Sequence, residues 1–299
     1  MIDLEGRIVA VIGGDEREQE IARLAAATGA QVKVYGIPWP VGGIDGVTRA
    51  ETAAAAFRDA DYALFPIPGQ HPDGALFAPE SPTRIIPDRD LLSLMHGDAA
   101  IILGWPDDAL RSAAGELGIP LLEYEHNTEL MLLRGPAIVE GALGQVIANT
   151  DITIHGATVA VVGHGNIGRL LTRTLVLLGA HVHLFARNPV QRADAFTAGA
   201  TPHVLDDLES TAPQLDMVFS TVPSPVVSAE VLRALPKSSL VMDLAAPPGG
   251  IDLDDAASLG HRAIWARGMG RRAPVTVGRS QWSGIARYII EMEGKRNAS

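Results

Sequence analysis

Residues 158–187 read Thr158-Val-Ala-Val-Val-Gly-His-Gly-Asn-Ile-Gly-Arg-Leu-Leu-Thr-Arg-Thr-Leu-Val-Leu-Leu-Gly-Ala-His-Val-His-Leu-Phe-Ala-Arg187. The opening run 158–162 is β-branched, apolar and too short for a helix, which predicts a buried parallel strand. Ile167, Leu170, Leu171, Thr174, Leu175 and Leu178 recur at helical spacing on one face, and Gly179 stops that helix. Residues 181–185 give the next strand. Between the first strand and the helix lies Gly163-His164-Gly165-Asn166-Ile167-Gly168, a G-x-G-x-x-G in the context that gives the pattern meaning. Gly163 allows the tight turn, Gly165 lets a pyrophosphate approach the backbone, and Gly168 lets helix and strand pack closely. The N–H groups at the helix start then receive the phosphate charge. This is a Rossmann dinucleotide-binding unit.

The end of the second strand sets the cofactor expectation. Asp or Glu there accepts hydrogen bonds from the ribose 2′-hydroxyl of NAD, but this chain has Ala186, followed by Arg187 and Asn188. A guanidinium in place of a carboxylate suits a 2′-phosphate, so NADP is expected. Arg192 is a second cation within reach or a solvated helix residue. Ser220-Thr221-Val222-Pro223 follows a later strand, and its loop is expected beside the nicotinamide ribose.

The same pattern opens the chain. Residues 8–12 (IVAVI) lead to a Gly turn, a helix with Ile21, Leu24 and Ala25 on one face, and a strand at 31–35. Further strands are predicted at 62–66, 99–103 and 120–123, then at 217–220, 240–244 and 262–265. The Pro-rich stretch 66–88 reads as a long ordered loop. Val139, Ala142, Leu143, Val146 and Ile147 predict a linking helix, and Trp282, Ile285, Ala286 and Ile289 a closing one. The expected fold class is therefore α/β, with two Rossmann-like doubly wound parallel-sheet domains around a cleft, joined by long helices. The expected boundaries are 1–135 for a substrate domain, with a C-terminal helix 279–299 packing back on it, and 136–278 for the NADP-binding domain. Residues 295–299 are expected to fray. The first Gly turn, Gly13-Gly14, carries Asp15, Glu16, Glu18 and Glu20 in the helix that follows. Their field opposes a pyrophosphate, so this half is expected to contact substrate.

The chain has 299 residues, long enough for two cores, with 47% hydrophobic and 20% charged residues. Its net charge of −11 and the absence of a Lys/Arg run argue against nucleic acid and anionic membrane surfaces. No cysteine is present, which removes disulfides, thiolate chemistry and zinc–cysteine sites. No HExxH or acidic calcium loop suggests a metal. The start of the chain lacks the pattern of a signal peptide, and no apolar run reaches about 18 residues, so a cytoplasmic protein is expected. The sequence admits a homo-oligomer without dictating one.

Several motifs together carry a resemblance: Gly13-Gly-Asp-Glu-Arg-Glu-Gln-Glu20, Val139-Glu-Gly141, Thr150-Asp-Ile-Thr-Ile-His-Gly156, the Gly163 fingerprint, and Asp243-Leu-Ala245 followed by Pro248-Gly-Gly250. They resemble the A subunit of bacterial dipicolinate synthase, nearly end to end and most densely from about 136 to 250. Ile138 and Val275 stand where that family carries Thr and Lys. The resemblance implies two Rossmann-like domains around a cleft, as in 2-hydroxyacid and alanine dehydrogenases, and a flavoprotein-like B subunit as partner. It also implies formation of pyridine-2,6-dicarboxylate from a dihydrodipicolinate-type intermediate of the lysine pathway, for sporulation.

A ring dianion as substrate calls for donors. Arg17 stands just after the first strand, where α/β ligands bind, or is an exposed helix residue paired with Glu16 or Glu20. Arg271 and Arg272, after the last strand, can bring cations to a carboxylate, with Thr221 and Thr276 as hydroxyl donors. Glu140, read at the start of the linking helix, is a candidate general base, or a carboxylate favoured by that helix end. Asp243 orients a ligand or caps its own loop. His155 reads as a turn residue. These residues point to an NADP-dependent oxidoreductase resembling the dipicolinate synthase A subunit. The alternatives are a non-catalytic NADP(H)-binding subunit or sensor, and a dehydrogenase of a 2-hydroxy or 2-amino acid.

Overall fold

The computed structural model describes residues 2–296. Its chain divides into two compact units, one formed by residues 1–134 with 271–299 and the other by 135–270. The first unit contains β1 (Ile8–Ile12), α1 (Glu16–Ala26), β2 (Gln31–Tyr35), β3 (Val47–Arg49), α2 (Ala53–Phe57) and β4 (Tyr62–Leu64). It continues through α3 (Arg89–Leu92), β5 (Ala100–Leu103), α4 (Asp108–Leu117) and β6 (Leu121–Glu123) into α5 (Thr128–Asn149). The second unit contains β7 (Thr158–Val162), α6 (Asn166–Leu177), β8 (His181–Phe185), α7 (Pro189–Thr197), β9 (Thr201–His203), α8 (Leu208–Thr211) and β10 (Met217–Ser220). It ends with α9 (Ala229–Ala234), β11 (Leu240–Asp243), α10 (Leu253–Ser258) and β12 (Arg262–Trp265). The chain then returns to the first unit as α11 (Pro274–Arg296).

Each unit holds a six-stranded parallel sheet, ordered β3-β2-β1-β4-β5-β6 in the first and β9-β8-β7-β10-β11-β12 in the second. Both orders reverse beside the first strand, and ligands of such sheets bind at that reversal, outside the carboxyl ends. The central strands are apolar along nearly their whole length because both of their faces are covered. Val9 and Val11 enter one core cluster and Ala10 and Ile12 another, and the same split divides Val159 and Val161 from Ala160 and Val162. The strands missing from the sequence reading are the three-residue edges β3 and β9. Thr48 and Arg49 are exposed, and Pro202, which has no N–H to give a ladder, is tolerated because β9 has a neighbour on one side only.

Two helices differ from expectation. The linking helix starts at Thr128 and continues through Pro136, so Glu140 lies well inside it and not at its N-terminus. The proline misleads because it usually ends a helix at the preceding residue, whereas here packing on both sides of it holds the helix together: Leu130 is buried in the first unit's core, and Val139, Ala142 and Val146 in the second's. By length and composition α5 could cross a membrane, yet it carries Glu129, Arg134 and Glu140, and 44% of its most apolar window is buried within the protein. The closing helix begins at Pro274 and not near 279. It approaches α1 closely at Gly278, where a Cβ would lie 2.7 Å from the Arg17 carbonyl oxygen, and it buries Ile285 and Ile289 in the first unit's core. Of the tail expected to fray, Lys295 and Arg296 belong to α11, and Arg296 donates to Tyr62 (3.0 Å) and Glu293 (2.7 Å). Residues 297–299 lie outside the described residues.

Candidate functional site

At the carboxyl end of β7 the chain turns at Gly163 with φ +96°, a conformation that favours glycine. Thr221 closes this turn. Its backbone N–H and its hydroxyl both donate to the Val162 carbonyl, at 2.9 and 3.1 Å. A Cβ on Gly168 would lie 2.2 Å from the Gly163 oxygen, so only glycine lets α6 start against the strand. Gly165 is different in kind: nothing lies within 4 Å of where its Cβ would be. Gly165 is also the N-cap of α6 and supplies no side-chain hydrogen bond, so no side chain of the cap takes up the helix's first-turn N–H groups. Open space over uncapped N–H groups is what a pyrophosphate needs, and Asn166 and Ile167 form the turn that presents them.

A groove of about 280 Å³ runs from Gly163, His164 and Gly165 to Ala186, Arg187 and Asn188, with Thr221, Val222 and Pro223 on its other wall. Ala186 is buried, and Arg187 is exposed at the rim. Asn188 caps α7 by accepting from Val190 N at 2.8 Å. Arg192 donates to the carbonyls of Ala186 (2.8 Å) and Arg187 (2.7 Å), bracing the loop that carries Arg187. Gln191, Leu205 and Val226 also line the groove. They escape a reading of the sequence, since none belongs to a motif. The His164 side chain pairs with α7 behind the turn. Its ring is buried, with Nε2 2.8 Å from Asp194, whose carboxyl is held below the usual range by that bond together with Arg169 and Arg173.

Asp243 proves to be a loop cap. It is buried, and its oxygens accept from the backbone N–H groups of Ala245 (2.9 Å), Gly250 (2.7 Å) and Ile251 (3.1 Å). Both oxygens thereby accept from the main chain, the loop-capping arrangement that is one of the two readings of this residue. Glu140 is exposed on α5. Arg271 pairs with Glu16 at 3.1 Å, Arg272 is exposed beside it, and Thr276 lies in the first turn of α11.

In the first unit the Gly13-Gly14 turn is filled by the protein's own chain. Gly14 N donates to the Phe77 carbonyl at 2.7 Å, and a Cβ on Gly14 would meet the Glu18 side chain at 2.3 Å. Asp15 and Glu18 form a capping box on α1, and Glu18 also accepts from Ile67 N at 2.7 Å. The Glu18 side chain occupies the space over Gly14 that a pyrophosphate would need, while Asp15, Glu16 and Glu20 are each paired with arginine. Arg17 is buried and bidentate to Asp15, through Nε at 2.8 Å and Nη2 at 2.7 Å, and is not paired with Glu16 or Glu20. Nearby, Arg134 of α5 is buried against Gln281 of α11 and Tyr124, three residues that no motif in the sequence singles out.

Burial pushes the Glu18 carboxyl up to about 7, against Arg17 and its two N–H donors. A carboxyl raised on folding stabilises the folded state below its unfolded value, and that stabilisation is lost as pH rises through the folded one. Moving this titration from 4.5 to about 7 is worth on the order of 3 kcal/mol. Glu18→Gln removes the titration, so the wild-type advantage over this variant should shrink by up to that amount between about pH 5 and 8. Denaturant unfolding of both proteins at the two pH values checks this, and a constant difference would mean that Glu18 stays charged throughout.

Comparisons with known proteins agree with this division. Residues 8–125 match the family described as the N-terminal domain of the dipicolinate synthase A subunit, and residues 134–245 match the NAD binding domain of D-isomer specific 2-hydroxyacid dehydrogenases. The dipicolinate synthase A subunit of Bacillus subtilis (strain 168) is 28% identical over 98% of this chain and 99% of its own length. The crystal structure of the same subunit from Bacillus halodurans superposes with a TM-score of 0.87 at 28% identity, covering 96% of this chain and 98% of that one. A transhydrogenase from Sinorhizobium meliloti, at 16% identity and a TM-score of 0.72 over 95% and 94% of the two chains, shares the fold.

Proposed function

We propose, from the premise that the chain belongs to the family of dipicolinate synthase A subunits and carries a dehydrogenase-type nicotinamide-binding domain, that it is an NADP-dependent oxidoreductase forming pyridine-2,6-dicarboxylate. The observation that carries the cofactor half of this reading is the second unit's groove. It joins an open, uncapped helix start to a strand end with Ala186 where NAD enzymes place a carboxylate and Arg187 beside it. Gly163, Gly165 and the first turn of α6 would hold the pyrophosphate, Arg187 the 2′-phosphate, and Thr221, Val222 and Pro223 the nicotinamide ribose. Arg192 holds the Arg187 loop in place, and Asp243 does the same for the loop it caps.

The nicotinamide, when bound, supplies a hydride acceptor. A dihydropyridine-type dicarboxylate gives up one hydride and one proton, and ring aromaticity makes the loss favourable. Glu140 is the carboxylate proposed to take the proton, and Arg17, Arg271, Arg272 and Thr276 are the proposed substrate contacts. A flavoprotein-like second subunit is the proposed partner, in keeping with a family whose members form one subunit of a synthase.

The test mixes the purified chain, alone and with such a partner, with NADP⁺ and enzymatically generated 4-hydroxy-tetrahydrodipicolinate, which loses water to give the dihydropyridine that then yields the hydride and proton. Dipicolinate and NADPH absorbance are expected to rise together. Tight NADP(H) binding with no turnover in either mixture would leave a binding subunit only. Glu140→Gln tests the proton acceptor, and Arg17→Lys is preferred to Ala because Ala would strand the buried Asp15 carboxylate. Full activity in either variant removes that residue from the machinery.

A further inference from the structure

Arg134 is a buried cation whose one carboxylate contact is long and single, to Glu125 at 3.4 Å. Its Nε donates to Gln281 Oε1 at 3.1 Å, and Nη2 donates to the same oxygen, so its main partner is a neutral amide. The one carboxylate in reach, Glu125, stands at 3.4 Å from Nη1 and is partly exposed. Arg17, also buried, has its charge matched by Asp15. A buried guanidinium normally acquires a bidentate acid, because the cost of removing it from water is otherwise uncompensated.

Two further groups in the same cluster lack partners. Tyr124 lies with its ring centroid 5.4 Å from the Arg134 guanidinium carbon, within electrostatic reach of Arg17 and Glu18, and its buried hydroxyl makes no hydrogen bond. The Gln281 amide oxygen is taken by Arg134, which turns its Nε2 donor elsewhere, and that donor too is buried without a partner. Both residues are fully buried, so bulk water does not satisfy them. Burial pushes the Tyr124 phenol upward, which keeps it a hydroxyl donor. Tyr124 directly follows β6, so this under-compensated cation and the two idle donors gather at the carboxyl edge of the sheet, the edge at which open α/β sheets take their ligands. A carboxylate would serve both idle donors and complete the pairing of a guanidinium that Glu125 meets only once, at 3.4 Å.

We propose that Arg134, Tyr124 and Gln281 form a carboxylate-binding site in the first unit, which takes one carboxylate of the small dicarboxylate substrate. This rests on the substrate class proposed above and goes beyond it in naming the anchor. Arg134 supplies the charge, and the Tyr124 hydroxyl and Gln281 amide supply the hydrogen bonds. The Arg134–Gln281 bond orients the amide so that its N–H₂ is left for the ligand.

The probe is pyridine-2,6-dicarboxylate, titrated calorimetrically into the full chain, with acetate at matched ionic strength as control. Tyr124→Phe is the decisive variant. It removes only an oxygen that bonds to nothing in the folded chain, so the thermal midpoint should hold or rise, while probe affinity falls about 10-fold. Arg134→Gln should lower it about 100-fold. NADP⁺ affinity, measured in parallel, should stay within about twofold in both variants because Arg134, Tyr124 and Gln281 stand outside the dinucleotide groove. A wild type that does not bind the probe, or variants that bind it equally well, would overturn the site. So would a Tyr124→Phe protein that loses stability but not probe affinity. Failure of the synthase reading looks different: no turnover, with a probe that still binds and is still weakened by Tyr124→Phe.

Discussion

Gly165→Ala should leave the protein as stable as the wild type and remove its dinucleotide binding, whereas Gly168→Ala should damage the fold itself. Both substitutions add one methyl group within the same six-residue turn. At Gly165 the backbone has φ −79°, which alanine adopts readily, and nothing lies within 4 Å of the new carbon. The methyl group would occupy the space over the first-turn N–H groups, and dinucleotide affinity should fall by on the order of 100-fold, about 2.7 kcal/mol. At Gly168 the new carbon would meet the Gly163 carbonyl oxygen at 2.2 Å and the Thr221 hydroxyl at 2.8 Å. The carbonyl is backbone and cannot rotate away, so α6 must shift from β7, at a cost of about 2–4 kcal/mol. Thermal unfolding without ligand and calorimetric titration with NADP⁺ separate the two effects. A Gly165→Ala protein that binds NADP⁺ like the wild type would show that the groove is not the cofactor's.

That contrast marks how far the sequence can be read. The fingerprint between a five-residue apolar strand and an amphipathic helix identifies the turn, because each glycine answers a local geometric need. Core strands such as β1 and β7 are legible for the same reason: burial on both faces leaves a nearly unbroken apolar run. β3 and β9 are hidden because an edge strand with exposed residues has neither a run nor an alternation to show. At Pro136 a strong local rule gives the wrong boundary, and the packing that overrides it involves residues far away in the chain. Glu140 reads as a helix-end carboxylate for that reason alone.

Side-chain partners are less legible than elements. The spacing Asp15-x-x-Glu18 is a capping box, but nothing local says that Glu18 also reaches Ile67 and fills the first unit's Gly turn. Asp243 is visible as a strand-end acid, while its three N–H donors lie on a loop whose return path the sequence does not disclose. The Arg134–Gln281 bond joins residues 147 apart, and each reads alone as an ordinary helix position. In each case the missing information is tertiary.

Arg187→Asp is the second substitution with a large expected effect, and its structural setting makes the outcome specific. Arg187 is exposed at the rim of the groove and next to Ala186, the position of the ribose-binding carboxylate in NAD enzymes. Its loop does not depend on its own side chain for shape, since Arg192 grips the carbonyls of both residues from α7 and Asn188 caps that helix. The exchange should therefore leave unfolding unchanged within about 0.5 kcal/mol. Loss of a charge-assisted, bidentate phosphate contact costs about 1.5–3 kcal/mol in NADP⁺ binding, and a carboxylate facing the 2′-phosphate adds repulsion. The same carboxylate can accept from the 2′-hydroxyl of NAD⁺, a gain of about 1 kcal/mol. The ratio of NADP⁺ to NAD⁺ affinity should then fall by about 100- to 1000-fold. Arg192→Ala should lower NADP⁺ affinity less, by about 10-fold, because it loosens the loop and leaves the guanidinium of Arg187 in place. An unchanged ratio in Arg187→Asp would reject the 2′-phosphate assignment. An Arg192→Ala protein with the larger loss would move that assignment from Arg187 to Arg192.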